Sequence, residues 1–422
     1  MNKRSSRGWL WFLVAAATLS QATVHLVRPA TTYKLVEFDA GGLTVGFITG
    51  IYALLPLVLA LSVGARTQRA WSLKPFLVSG SFVLAVGVGF IAVANSILLV
   101  AVGSALLGLG QLIFTIAGQA VIARFASNSE LDMAFGWFTA GFSAGQMIGP
   151  FVGGLTLSYS PGANLYAVDF TIWLGVLFAL SSVALVQISG KGTYGQKPRD
   201  SKGRSPCPGI NSESQKNQQR ETEPREDSIG DQKPTVRNIL RVPQIKSHLI
   251  ASITMLAILD VLSAFLPLLA EDREVSPMWV GSLLAARAGA SIISRLLLPQ
   301  LRRRFTRAHL VITSLMVSGV TLVGATMAID WLWLSLALFA LAGFTLGMGQ
   351  PLTMATITEA VPHTWHSPAL ALRLMGNRGG QVVVPIIAGS TAAPLGPAAA
   401  IWTSCLFLVA SGTEKLISNR QA

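Results

Sequence analysis

Long apolar runs separated by short polar breaks dominate the chain. Taking about 20 mostly apolar residues as one bilayer crossing, the pattern predicts twelve spans, roughly at 8–27, 43–64, 75–95, 97–123, 133–159, 166–188, 248–270, 278–300, 308–329, 332–356, 369–391 and 396–413. Residues 190–247 break the rhythm. They are rich in Lys, Gln, Ser, Pro, Asp and Glu and nearly free of large apolar side chains. Such a stretch buries too little surface to fold alone, so it is expected to be a disordered linker. The expected organisation is a six-helix half at 1–189, the linker at 190–247 and a second six-helix half at 248–422.

Composition agrees with a membrane setting. Of the 422 residues, 51% are hydrophobic and 12% charged, whereas a soluble chain carries about 25% charged residues. The outer face must therefore be apolar, and lipid is the partner it fits. The net charge of +13 raises the possibility of nucleic acid, but its placement argues otherwise. Arg66, Arg69, Lys74, Arg124, Arg302, Arg303, Arg304 and Arg307 fall between spans on the side of the termini, while Glu37, Asp39, Asp169, Glu271, Asp272, Glu274 and Asp330 fall opposite. That asymmetry is the positive-inside signal and places both termini in the cytoplasm. The first span follows Lys3, Arg4 and Arg7 like a signal peptide. It lacks a small-x-small exit, so it is expected to be retained, with Arg28-Pro29 leading into a short loop.

Other chemistry is sparse. Cys207 and Cys405 lie in a polar and an apolar segment, which argues against a disulfide framework. The five histidines form no metal pattern. Gly190-Lys191-Gly192-Thr193 lacks the spacing of a phosphate loop. No metal, cofactor or enzymatic activity is expected.

The halves repeat. Gly145-Gln146-xxx-Pro150-xx-Gly153-Gly154 matches Gly380-Gln381-xxx-Pro385-xx-Ala388-Gly389 at 380 − 145 = 235. Gly64 to Arg69 matches Pro299 to Arg304 at the same shift, as Gly108 matches Gly343. Related halves with a site at their midplane interface are a transporter architecture.

On these residues the chain resembles the major facilitator superfamily over essentially all of its length outside the linker. Gly136-x8-Gly145-x3-Gly149-Pro150-x2-Gly153-Gly154 is similar to the antiporter motif of drug:proton antiporters. The resemblance implies twelve transmembrane helices in two pseudo-symmetric six-helix bundles, an all-α integral membrane fold. It also implies that helix 5 packs on helix 8 and controls closing of the cytoplasmic side. Without the family, glycines four residues apart make a groove for close helix packing. The alternative is a packing face with no bearing on transport. Gly64 and Arg69 resemble the family's signature after helix 2, but Gln68 and Trp71 replace its Asp and Gly. A neutral Gln68 lacks the charge of the family's interdomain latch. In helix 4, Ser104 stands where family exporters carry an Arg before Gly108, so proton coupling does not transfer from the resemblance.

Ionisable groups inside spans are costly and point to function. Asp260, Arg287 and Arg378 fall near the middle of spans 7, 8 and 11, with Arg295 deeper towards the cytoplasm. Arg373, Asn377 and Gln381 form a polar stripe at i, i+4 and i+8. Gln111 and Gln119 add polar groups to span 4, and Arg28 is expected to snorkel to the outer interface. A purely structural set would pair Asp260 with one arginine and leave the others on carbonyls. The arginine excess favours an anionic or zwitterionic substrate, which a guanidinium grips bidentately. Asp260 is the candidate proton carrier.

The expected function is proton-coupled antiport: efflux of a small organic compound by alternating access, from a monomer in the cell inner membrane with no nucleic-acid partner. The alternatives are a proton-coupled importer of an organic anion and, in another class, a non-transporting receptor.

Overall fold

A computed structural model describes residues 8–126, 130–158, 165–189, 236–242, 245–362 and 365–421. It contains twelve long helices: α1 (Gly8–Glu37), α2 (Gly42–Arg69), α3 (Lys74–Ala92), α4 (Ile97–Phe125), α5 (Leu131–Ser158), α6 (Leu165–Ile188), α7 (Ile245–Asp272), α8 (Pro277–Arg304), α9 (Arg307–Met327), α10 (Leu332–Glu359), α11 (His366–Leu395) and α12 (Pro397–Gln421). In hydrocarbon every backbone N–H and C=O must be satisfied within its own segment, which leaves the helix as the available form for such runs. Large apolar side chains such as Val58, Leu61, Leu98, Phe170, Leu296 and Leu406 are exposed along the helices, as a lipid-facing surface requires. Exposed tryptophans mark both ends, with Trp71 on the side of the termini and Trp331 and Trp333 opposite, where indole rings suit the bilayer interface.

Ten of these helices are long and apolar enough to cross a membrane among the described residues. The two that fall short are α5 and α11. Their sequences carry the glycine motif and the Arg373–Gln381 stripe, and both face other helices rather than lipid alone. α5 packs on α1 and α8, and α11 on α2, α7 and α12.

Helix limits repeat at the offset seen in the sequence. α2 and α8 differ by 277 − 42 = 304 − 69 = 235. α4 and α10 start 332 − 97 = 235 apart, and α5 and α11 start 366 − 131 = 235 apart. The halves meet along two equivalent seams, α5 with α8 and α2 with α11, and α1 touches α7 between them.

Two boundaries differ from expectation. α1 does not end at residue 27 but continues through Arg28-Pro29 to Glu37. Proline's fixed φ suits a helix, and Leu35 and Ala30 beyond it bury fully. The Thr31 hydroxyl donates to the Val27 carbonyl at 2.8 Å. The linker expected at 190–247 lies outside the described residues over 190–235. Its end is helical instead: a short helix spans Val236–Arg241, and α7 begins at Ile245. Ile239 is the reason, since it buries against Ile245, Leu249, Ile357 and Trp365. Cys207 and the Gly190–Thr193 stretch also lie outside the described residues.

Candidate functional site

The seams close through backbone, and the glycines show how. A Cβ on Gly154 would meet the Pro277 carbonyl oxygen at 2.8 Å and Gly281 Cα at 3.0 Å. On the equivalent seam a Cβ on Gly389 would meet the Gly42 carbonyl oxygen at 2.7 Å and Gly46 Cα at 3.1 Å. These contacts are one motif used twice, since 389 − 154 = 281 − 46 = 277 − 42 = 235. All lie at the end of the bundle opposite the termini.

Helix α5 packs on α8 as the resemblance implies, but its glycine motif divides between two neighbours, and the part that meets α8 lies at the end opposite the termini, where the resemblance implied the cytoplasmic side. Gly145 and Gly149 face α1, where added Cβ atoms would strike the backbone of Thr18 and Ala22. Gly153 has ordinary room beside Leu26, and Gly136 has nothing within 4 Å. Pro150, through its carbonyl against Gly281, and Gly154 meet α8. The split follows from helical phase. Positions 145 and 149 share one face, while 150 and 154, each five residues further on, sit about 140° around the helix.

Deep between the halves lies a charged cluster. Asp260 of α7 is buried and forms an ion pair with Arg28 of α1. Its other oxygen accepts from Gln381 Nε2 of α11 at 2.7 Å. Gln381 Oε1 in turn accepts from Arg378 Nη1 at 3.1 Å. The Arg28 guanidinium also lies over the Tyr52 ring of α2, 4.6 Å from its centroid, a cation–π contact. Arg287 of α8 is buried without a partner for its Nε, within electrostatic range of Asp260 and Arg295.

Pseudo-symmetry explains why these residues converge. His25 and Asp260, Tyr52 and Arg287, and Gln146 and Gln381 are equivalent positions, because 260 − 25 = 287 − 52 = 381 − 146 = 235. Gly108 of α4 packs on the Tyr52 backbone carbonyl, and Gly343 of α10 on that of Arg287. The same backbone frame is thus built twice and given different side chains. Three arginines stand against one carboxylate, and Arg28 Nη2, Arg287 Nε and Asn377 Oδ1 are buried with no partner. Unsatisfied buried groups of this kind are costly; the two guanidinium donors suit an incoming acceptor and the Asn377 amide oxygen an incoming donor.

Several expectations need correction. Arg28 does not snorkel: its side chain is 9% exposed and is the direct partner of Asp260. Arg287 makes no direct bond to Asp260, and Arg378 reaches it only through Gln381. The polar stripe of α11 splits, because Arg373 turns to α10 and donates to Gln350 Oε1 at 2.6 Å. Gln119 is exposed on α4 and lies 11 residues beyond Gly108, about 16 Å along the axis. Arg295 bridges the halves, donating from Nη1 to Ser143 Oγ of α5 at 2.9 Å. Gln68 and Arg69 are exposed, and a Cβ on Gly64 would meet nothing within 4 Å. The α2–α3 loop is held by Arg124, which donates to the carbonyls of Thr67, Gln68 and Ala70 at 2.6, 2.8 and 2.7 Å. Tyr52, Arg124 and the true role of Arg28 were missed from sequence. The readable signal for Arg28 was the apolar pattern resuming after Pro29, which puts it inside a span.

Two six-helix halves joined by symmetric glycine seams around a buried charged layer define an all-helical, multi-pass membrane protein with internal two-fold repetition. The family model for the Major Facilitator Superfamily matches residues 10–308 and 248–417, and the chain belongs to that superfamily. The chain is 28% identical over 175 residues to "Multidrug resistance protein MdtH" of Photorhabdus laumondii subsp. laumondii, covering 41% of this chain and 42% of that protein. It is 25% identical over 182 residues to the protein of the same name in Yersinia enterocolitica, covering 41% and 45%. The similarity thus spans less than half the length of these curated relatives. The fold matches a solved peptide transporter POT in complex with sulfate, with a TM-score of 0.73 at 14% identity over 98% of this chain and 94% of that one. It also matches a bacterial homolog to the human lysosomal transporter Spinster, with a TM-score of 0.71 at 13% identity over 100% and 98%.

Proposed function

We propose that this transporter exports a small zwitterionic organic compound in exchange for protons, with Asp260 as the coupling group. The observation that carries the reading is the ion pair between Asp260 and Arg28, buried and shared between the two halves. A substrate carboxylate or phosphate competes for the guanidinium groups of Arg28, Arg287 and Arg378, which present planar forks for bidentate contact. Released from Arg28, the Asp260 carboxylate can take either the ammonium group of a zwitterionic substrate or a proton, and not both. Protonated Asp260 has no charge left to hold that ammonium group. Proton and substrate therefore exclude one another, which is the logic of antiport. With the termini in the cytoplasm of the inner membrane, the closed glycine seams face outward and the described conformation is sealed on the outer side. The name of the multidrug resistance relatives favours export. The chain acts as a monomer in this reading.

The test is transport in vesicles with measured folded protein. Asp260→Asn leaves Arg28 buried without its anion, a loss of about 3–5 kcal/mol for breaking such a pair. The double variant Arg28→Gln/Asp260→Asn removes both charges and should recover much of that stability. In the double variant, proton-driven accumulation should vanish while any residual substrate exchange survives. Accumulation retained per folded molecule would overturn the coupling role of Asp260.

A further inference from the structure

The end of the bundle opposite the termini holds a second polar site that the central cluster does not use. A pocket between the halves is lined by Tyr33, Glu37, Leu157, Val168, Glu271 and Pro277. Glu37 is the last residue of α1, and Tyr33 stands four residues before it, so both side chains share one face. Both Glu37 carboxylate oxygens are buried without a hydrogen-bond partner, and so is the Tyr33 hydroxyl. Tyr33 is only 6% exposed. Glu271 enters from the other half, near the end of α7. α1, α5 and α7 all finish here, and helix C-termini carry partial negative charge, while α6 and α8 begin here. Lys34, a nearby buried cation, lies within electrostatic range of Glu37 but bonds to other groups: its Nζ donates to Asp169 at 2.8 Å and to the Ala92 carbonyl at 2.7 Å. Glu37 lies nine residues beyond Arg28 on α1, about 13 Å along the helix, so this pocket is distinct from the central cluster.

We propose that the Tyr33–Glu37–Glu271 pocket is a cation-binding site that bridges the halves when the outer seam is closed. Its ligand is a monovalent cation, either an alkali metal ion or the ammonium head of an organic amine. Two carboxylates and one phenol oxygen suit such a charge. A divalent ion such as calcium takes about six to eight oxygen ligands, more than these side chains offer, and among the described residues no group of three acidic, His or Cys side chains is arranged for a metal ion. Pairs of carboxylates facing across a seam repel one another, and a shared cation turns that repulsion into a tie. Opening the seam moves Tyr33 and Glu37 away from Glu271 and Pro277 and breaks the site, so an occupied pocket holds the outer side shut.

The experiment uses the full chain in nanodiscs at fixed pH and ionic strength. Tetraethylammonium chloride, whose charge is shielded by four ethyl groups and which carries no N–H, is replaced stepwise by sodium, potassium or methylammonium chloride while the melting temperature is followed. A saturable rise is expected with at least one of them, and the alkali and ammonium arms identify the source. Glu37→Gln should abolish the rise, and Tyr33→Phe should shift its midpoint to about tenfold higher concentration, as loss of one ligand worth about 1.4 kcal/mol implies. Because Glu37→Gln could alter folding by itself, accessibility of an engineered cysteine at Leu157 gives a second readout. Labelling should slow in cation with the wild-type pocket and become cation-independent in Glu37→Gln. Equal cation responses in wild type and Glu37→Gln, or a melting temperature that ignores all three cations, would overturn the proposal. Neither outcome touches the role of Asp260, which is read from proton-driven transport.

Discussion

Replacing Gly154 with alanine adds one methyl group at the point where α5 meets α8. The new Cβ would stand 2.8 Å from the Pro277 carbonyl oxygen and 3.0 Å from Gly281 Cα. Both are backbone atoms, which cannot swing aside as a side chain can. Overpacking of this kind costs about 1–3 kcal/mol. The cost falls on the conformation in which the outer seam is closed, because the two helices separate when that side opens. The helix propensity gained on replacing glycine, about 1 kcal/mol, is present in both conformations and cancels. The ratio of open to closed should therefore rise by about 5–150-fold. The assay is thiol labelling of a cysteine at Leu157, with Cys207 and Cys405 replaced by serine. Leu157 lines the closed seam, so its labelling rate reports opening. Gly389→Ala should act alike on the equivalent seam. Gly149→Ala is the control: its Cβ would strike α1 within the same half, 2.9 Å from the Leu26 amide nitrogen. It should lower the melting temperature without shifting the labelling rate, and Gly136→Ala, in open space, should do neither. If Gly149→Ala and Gly154→Ala shift labelling equally, the division of the α5 motif between two neighbours is wrong.

Two further outcomes follow from the hydrogen bonds. Arg28→Lys keeps the charge facing Asp260 but removes the planar fork and weakens the stacking on Tyr52. It should preserve most of the stability while weakening binding of a zwitterionic substrate by roughly tenfold, about 1.4 kcal/mol, measured by competition in nanodiscs. Arg124→Gln removes three charge-assisted contacts to the α2–α3 loop carbonyls, worth about 1.5–3 kcal/mol each and less where solvent reaches them. Hydrogen exchange at residues 67–71 should speed up while exchange in the α3 core stays unchanged.

Sequence alone determined a good deal here. The apolar runs marked all twelve helices, because a bilayer asks the same of every span: enough length and few charges. Residues aligned at a shift of 235 foretold that helix limits would repeat, since related halves fold alike. Asp260, Arg287 and Arg378 were recognisable as candidates because a charge in a span needs a reason, and Gln381 through the polar stripe it shares with Arg373 and Asn377. The tertiary structure decided what those signals left open. Which arginine meets Asp260 depends on the rotation and register of α1 against α7, helices 232 residues apart in the chain. Nothing in the spacing within either helix encodes that angle. Likewise, five glycines in one helix read as a single motif, yet the turn of about 100° per residue sends Gly149 to its own half and Gly154 across the seam. The periodicity of a helix tells which of its residues lie together. Which neighbour they face is decided by how two halves dock, and docking depends on backbone contacts at Gly46, Gly154, Gly281 and Gly389 that no local pattern specifies.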